Sequence, residues 1–197
     1  MRDVQPPAEH VHWLFATGFL LLGLCLLGEA IVGTKVWRGR AWRAYLWPGL
    51  AFVLGVFMWP VMVFFTNSTL HMLAHGAWAQ VLMFAGAVEL GLVRGKLRGS
   101  WWRLAMTAAF LVSGTAFLIH EQNSWLFQRS SFLHHALGWT LVVGAIFPFV
   151  RCVRPRSQTV AAGFALTFVV VAVLLYCDRD VAPVFGHISE LAGTPRR

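Results

Sequence analysis

Residues 13–33 read WLFATGFLLLGLCLLGEAIVG, twenty-one residues with one charged group, Glu29. A helix rising about 1.5 Å per residue needs about 20 apolar residues to cross the hydrocarbon layer of a bilayer. The stretch therefore predicts a membrane span. Five more of the same character follow, at residues 45–65, 70–93, 101–119, 132–150 and 159–177. They are too long and continuous for strands and lack the alternation of a membrane β-barrel. The expected fold is all-α: a polytopic membrane helix bundle of six transmembrane helices forming a single domain over residues 1–178, with a polar extracytoplasmic tail over 179–197.

Composition agrees. The chain has 197 residues, 58% apolar and 12% charged, with mean hydropathy +0.65. Soluble domains carry about 25% charged residues, and a soluble chain this short could not hide so much apolar surface. The same numbers exclude a disordered chain. Three cysteines, with Cys25 inside an apolar run, exclude a disulfide scaffold. The first apolar run exceeds the roughly 7–15 residues of a signal-peptide core and no A-x-A site follows it, so it reads as a retained helix.

Charge sets the orientation. Lys35, Arg38, Arg40 and Arg43 lie between spans one and two, Arg94, Lys96, Arg98 and Arg103 between three and four, and Arg151, Arg154 and Arg156 between five and six. These three short connections hold eleven of the sixteen bases and no acid. Short loops rich in Lys and Arg stay cytoplasmic, so both termini are expected outside, in a multi-pass protein of the cell membrane if the source is bacterial. The net charge of +8 follows from this asymmetry and suits anionic lipid; it gives no reason to invoke nucleic acid. Pro48 suits an early helical turn, Pro60 is expected to kink the second span, and Pro148 to help end the fifth.

The eight histidines all map to the outer half. His10 and His12 precede the first span, His71 and His75 open the third, His120 closes the fourth, His134 and His135 open the fifth, and His187 lies in the tail. His71 and His75, at i and i+4, project from one helix face. Imidazole is the commonest protein ligand for transition metals. A site of His71, His75, His120 and His134, with His12 and His135 in reserve and Glu121 as ligand or second acceptor, suits copper or zinc. Met72 and Met83 are soft neighbours. The competing explanation is that each histidine sits at the interface for its amphipathic character. Two facing residues, such as His75 and His134, would alternatively serve one b-type haem. Membrane di-iron hydroxylases share only the H-x-x-x-H box.

Glu29 and Glu89 lie within spans, about one turn from the basic end. They form a proton- or cation-handling pair, or else reach the interface or pair with Arg94 or Lys35. Gln80 suits a bond to a neighbouring helix. Trp13, Trp37, Trp42, Trp47, Trp101 and Trp102 sit at helix ends as interfacial anchors, while Trp78 and Trp139 follow histidines by one turn. Asn67-Ser68-Thr69 fits a glycosylation sequon on the outer face.

The order His12, Gly18 and Gly23, then His71, His75 and Glu89, then His120 before His134 and His135 resembles the transmembrane protein 45 family over about residues 12–150. Where that family has His-x-His followed by a base, this chain reads His120-Glu121-Gln122-Asn123. The resemblance implies a multi-pass membrane protein and supplies no reaction. The residues contain no nucleophile triad, phosphate-binding loop or nucleotide fingerprint. Gly91 and Gly95 form a lone G-x-x-x-G. A non-catalytic membrane subunit, docked to a membrane-protein partner or a second copy, remains the competing function.

Overall fold

The computed structural model describes residues 8–65, 69–119 and 128–178. Its helices are α1 (Ala8–Val32), α2 (Thr34–Trp37), α3 (Leu46–Phe65), α4 (Thr69–Val93), α5 (Ala105–Ile119), α6 (Gln128–Gly144), α7 (Ile146–Val153) and α8 (Gln158–Tyr176), with 3₁₀ turns at Ala41–Tyr45 and Ser100–Leu104. Six spans among the described residues are long and apolar enough to cross a membrane. The expected six-helix bundle is what forms. The polar tail, residues 179–197, lies outside the described residues, as does most of the sequon.

The long helices close into a ring. Each packs on its chain neighbours, α1 on α3, α3 on α4, α4 on α5, α5 on α6 and α6 on α8, and the α1–α8 contact, the most extensive of all, shuts it. Phe15, Leu22, Leu26, Trp47, Leu54, Phe110, Leu141, Phe164 and Phe168 fill its interior. Leu21, Leu24, Val53, Phe57, Leu111, Val143, Phe149, Leu166 and Val170 are exposed on its outside. An apolar band of that kind is tolerated in lipid, not in water.

Lipid supplies no hydrophobic force between helices, so close backbone approach has to hold them together. Glycine supplies it at three contacts. A Cβ on Gly114 of α5 would lie 2.8 Å from the Gly138 carbonyl oxygen of α6, and one on Gly138 would lie 3.0 Å from that of Gly114. On α4, a Cβ at Gly86 would meet the Phe52 nitrogen of α3 at 2.6 Å, and one at Gly23 of α1 the Ala165 oxygen of α8 at 3.1 Å.

Several local expectations change. α1 begins at Ala8, so His10 and His12 lie on the helix rather than before it. Pro48 does occupy the first turn of α3, and Pro60 lies inside that helix. Pro148 does not end the fifth span. It sits in the first turn of α7, which continues to Val153. Pro148 has no N–H for the Gly144 carbonyl and its ring crowds that turn, so the helix is interrupted at Ala145 and resumes. Gly95 has φ +67°, and Leu97 and Lys96 donate to the Gly91 carbonyl. The lone G-x-x-x-G is thus a C-terminal cap of α4. Trp47 is not an interfacial anchor: it is 1% exposed and meets Phe164 edge-on at 6.0 Å. Trp42 and Trp101 are exposed near the basic end, as anchors should be.

Replacing Gly114 by Leu is expected to force α5 from α6 and cost about 1–3 kcal/mol or more, read as a lower thermal-unfolding midpoint in detergent. Gly49→Ala, where an added Cβ meets nothing within 4 Å, should leave that midpoint unchanged or raise it slightly.

Candidate functional site

At the end of the ring opposite the basic connections, the helices enclose a chamber of about 140 Å³. His12 of α1, His75 of α4 and His134 of α6 line it, with Asp178 just past α8. Its remaining walls are mostly apolar, from Phe15, Met58, Trp78, Phe110, Phe117 and Leu137. Imidazoles from three separate helices thus reach one space. That space suits a small ring-sized guest or a few waters.

Each side chain is placed by local geometry. His12 lies one turn before Phe15, a core residue, and so faces inward with it. Its Nδ1 pairs with Asp178 Oδ2. Asp178 is buried; Trp13 Nε1 donates to its backbone oxygen at 3.1 Å, and its own N–H donates to the Leu175 carbonyl. Thr17 Oγ1 and Tyr176 Oη add a contact at 2.7 Å. These polar contacts clasp the end of α8 to the start of α1. A carboxylate on Nδ1 fixes the ring and leaves Nε2 as the nitrogen for a further partner.

His75 and His134 are linked by aromatic rings. His75 meets Trp78 edge-on at 4.7 Å, Trp78 stacks on Phe117 of α5 at 4.2 Å, and Phe117 lies 5.6 Å from His134. His134 is buried. His135, the next residue and 100° further round the helix, is exposed, and its Nδ1 donates to the Ser131 carbonyl at 2.8 Å. His10 is exposed beside Glu9 and Trp13.

Of the sequence-predicted ligands, the structure brings His12, His75 and His134 to one chamber and leaves His135 outside it. The backbone of α4 runs unbroken through His71 and His75; the His71 and Met72 side chains lie outside the described residues, as do His120, Glu121 and His187 entirely. Met83 sits against Gly55 at the α3–α4 crossing. Trp139 is exposed and does not wall the chamber, whereas Trp78 does. Among the described residues, no group of three His, Cys, Asp or Glu side chains is close enough to hold a metal ion.

No family model, curated protein or solved structure matches this chain.

At the opposite end, Glu29 is buried, with Oε1 at 3.5 Å from Arg38 Nε and 3.8 Å from Arg151 Nη2. The partners are therefore Arg38 and Arg151 rather than Lys35 or Arg94. Glu89 lies in the field of Arg151, Arg38 and Arg103. Gln80 is exposed on α4.

Asp178 is absent from the sequence-predicted ligand set. Its signal was present: one acid directly after an apolar helix whose end is level with His12. Asp178→Ala is expected to cost about 1–3 kcal/mol, because it leaves the half-buried His12 ring without its partner. Tyr176→Phe, which removes one exposed hydroxyl contact, should cost about 0.5–1.5 kcal/mol. Thermal unfolding of the two variants side by side checks the order.

Proposed function

We propose that this multi-pass membrane protein binds a transition-metal ion, copper or zinc, in the outer chamber. His12 through Nε2, His75 and His134 are the ligands, with Asp178 holding the His12 ring. His71 and His120, near the same helix ends in sequence, complete the set. The observation that carries this reading is the convergence of imidazoles from three helices on one mostly apolar space, one of them oriented by a buried carboxylate. Metal-bound histidines characteristically donate their second ring N–H to such a group. Ligation requires His75 and His134 to turn from Trp78 and Phe117 toward the chamber's centre. The concentration of Lys and Arg on the opposite connections supports an outward-facing chamber and outward termini. The proposed kinship with the transmembrane protein 45 family adds no reaction.

A second reading has its own support. A b-type haem brings four nitrogens and asks two of the protein. His75 and His134 stand on different helices of this apolar chamber, but a porphyrin is several times larger than the chamber's volume of about 140 Å³, so haem binding requires the helix ends to spread apart.

Elemental analysis and an optical spectrum of the detergent-purified chain decide. About one equivalent of copper or zinc is expected, falling at least tenfold in a His75→Ala, His134→Ala double variant. A dithionite-sensitive Soret band would transfer the site to haem. Unchanged metal content in the double variant would contradict the ion reading. A stable co-purifying protein with neither metal nor haem would make the chain a structural subunit. An alkaline-phosphatase fusion at the C-terminus should be active if the proposed orientation holds.

A further inference from the structure

The eleven bases of the three basic connections are not used alike. Arg38, Arg98, Arg103 and Arg151 line one cavity of about 380 Å³ at that end of the ring. They come from four places in the chain: the turn after α2, the cap after α4, the 3₁₀ turn before α5, and α7. Lys35, Arg40, Arg43, Arg94, Lys96, Arg154 and Arg156 stay out of it. A preference for cytoplasmic Lys and Arg requires only that bases lie on one side. It does not require four guanidinium groups from separate segments to face one another across a hollow, where they repel.

Glu89 is the one acid in the lining, and Glu29 stands behind it. Two carboxylates against four guanidinium groups leave a positive surplus. Glu29 does not consume the donors it attracts. Its contacts to Arg38 and Arg151 are 3.5 and 3.8 Å, and neither Glu29 oxygen makes a hydrogen bond among the described residues. It holds two guanidinium groups nearby without a hydrogen bond to either. Arg151 is steadied further by the Phe164 ring at 5.8 Å, and Arg98 by donating Nε–H to the Gly95 carbonyl at 3.2 Å. A planar fork held in place is the group that recognises phosphate oxygens bidentately. A volume of about 380 Å³ lies within the range of small-molecule sites and is large enough for a phosphate with an ester substituent.

We infer that this cavity binds a phosphate group, held by Arg38, Arg98, Arg103 and Arg151 and oriented by Glu29. The group is either the headgroup of an anionic lipid or a soluble phosphate. The site lies at the opposite end of the ring from the histidine-lined chamber.

The test uses the full chain in detergent. In one arm, inorganic phosphate is titrated against sodium chloride of equal ionic strength, with the thermal-unfolding midpoint as readout. In the other, phosphatidylglycerol is compared with phosphatidylcholine in mixed micelles. An Arg98→Gln, Arg103→Gln double variant spares both partners of Glu29, and Arg154→Gln, Arg156→Gln is the control. The expected result is a saturable rise in midpoint with phosphate, with phosphatidylglycerol, or with both, at least tenfold weaker in the first variant and unchanged in the control. Response to phosphatidylglycerol alone assigns a lipid, and response to phosphate assigns a soluble anion. No response beyond ionic strength in either arm would overturn the inference, as would an equal response from the Arg98, Arg103 variant.

Discussion

Hydrocarbon offers a backbone no hydrogen-bond partner, and between helices it offers no hydrophobic force. Each span must satisfy its own N–H and C=O groups, and what joins the spans must be contact at van der Waals distance. Glycine at Gly23, Gly86, Gly114 and Gly138 provides it. These positions let three helix pairs approach backbone to backbone, and the pairs then close into a ring around one apolar interior. A closed ring has two ends, and polar groups in such a molecule gather there. Both candidate sites follow from that constraint.

The two ends differ in kind. One collects imidazole and a carboxylate in a mostly apolar chamber. The other collects guanidinium groups with fewer carboxylates, a donor set for an oxyanion. Phe110 and Phe168 line or neighbour the first, and Met106 lies on the walls of both cavities. The two spaces are thus separated by little more than one layer of core side chains.

Much of the fold was legible in the chain, because span length and apolar content are set by bilayer thickness. The six spans and the three basic connections needed nothing further. Ring order was not legible, since it depends on which glycine faces which backbone; Gly114 and Gly138 look unremarkable until their helices cross. Pro148 was misread because a missing N–H can interrupt a helix as readily as end it, and the outcome depends on whether packing restarts it. At the site, the sequence placed all eight histidines in one half of the bundle, with His71, His75, His120 and His134 foremost; of the described histidines, His12, His75 and His134 line one chamber. Spacing could not separate His134 from His135, because adjacent residues diverge by 100° and only packing selects the inward one. It also could not supply Asp178, whose role depends on the closure of α8 against α1.

The central claim, that histidines from different helices ligate one ion in the histidine-lined chamber, is tested most directly by electron paramagnetic resonance of the copper(II)-loaded protein. Nitrogen couplings from at least two imidazoles are predicted, with fewer in His12→Ala, His75→Ala and His134→Ala. Oxygen-only coordination, or a spectrum unchanged when all three are replaced, would contradict it.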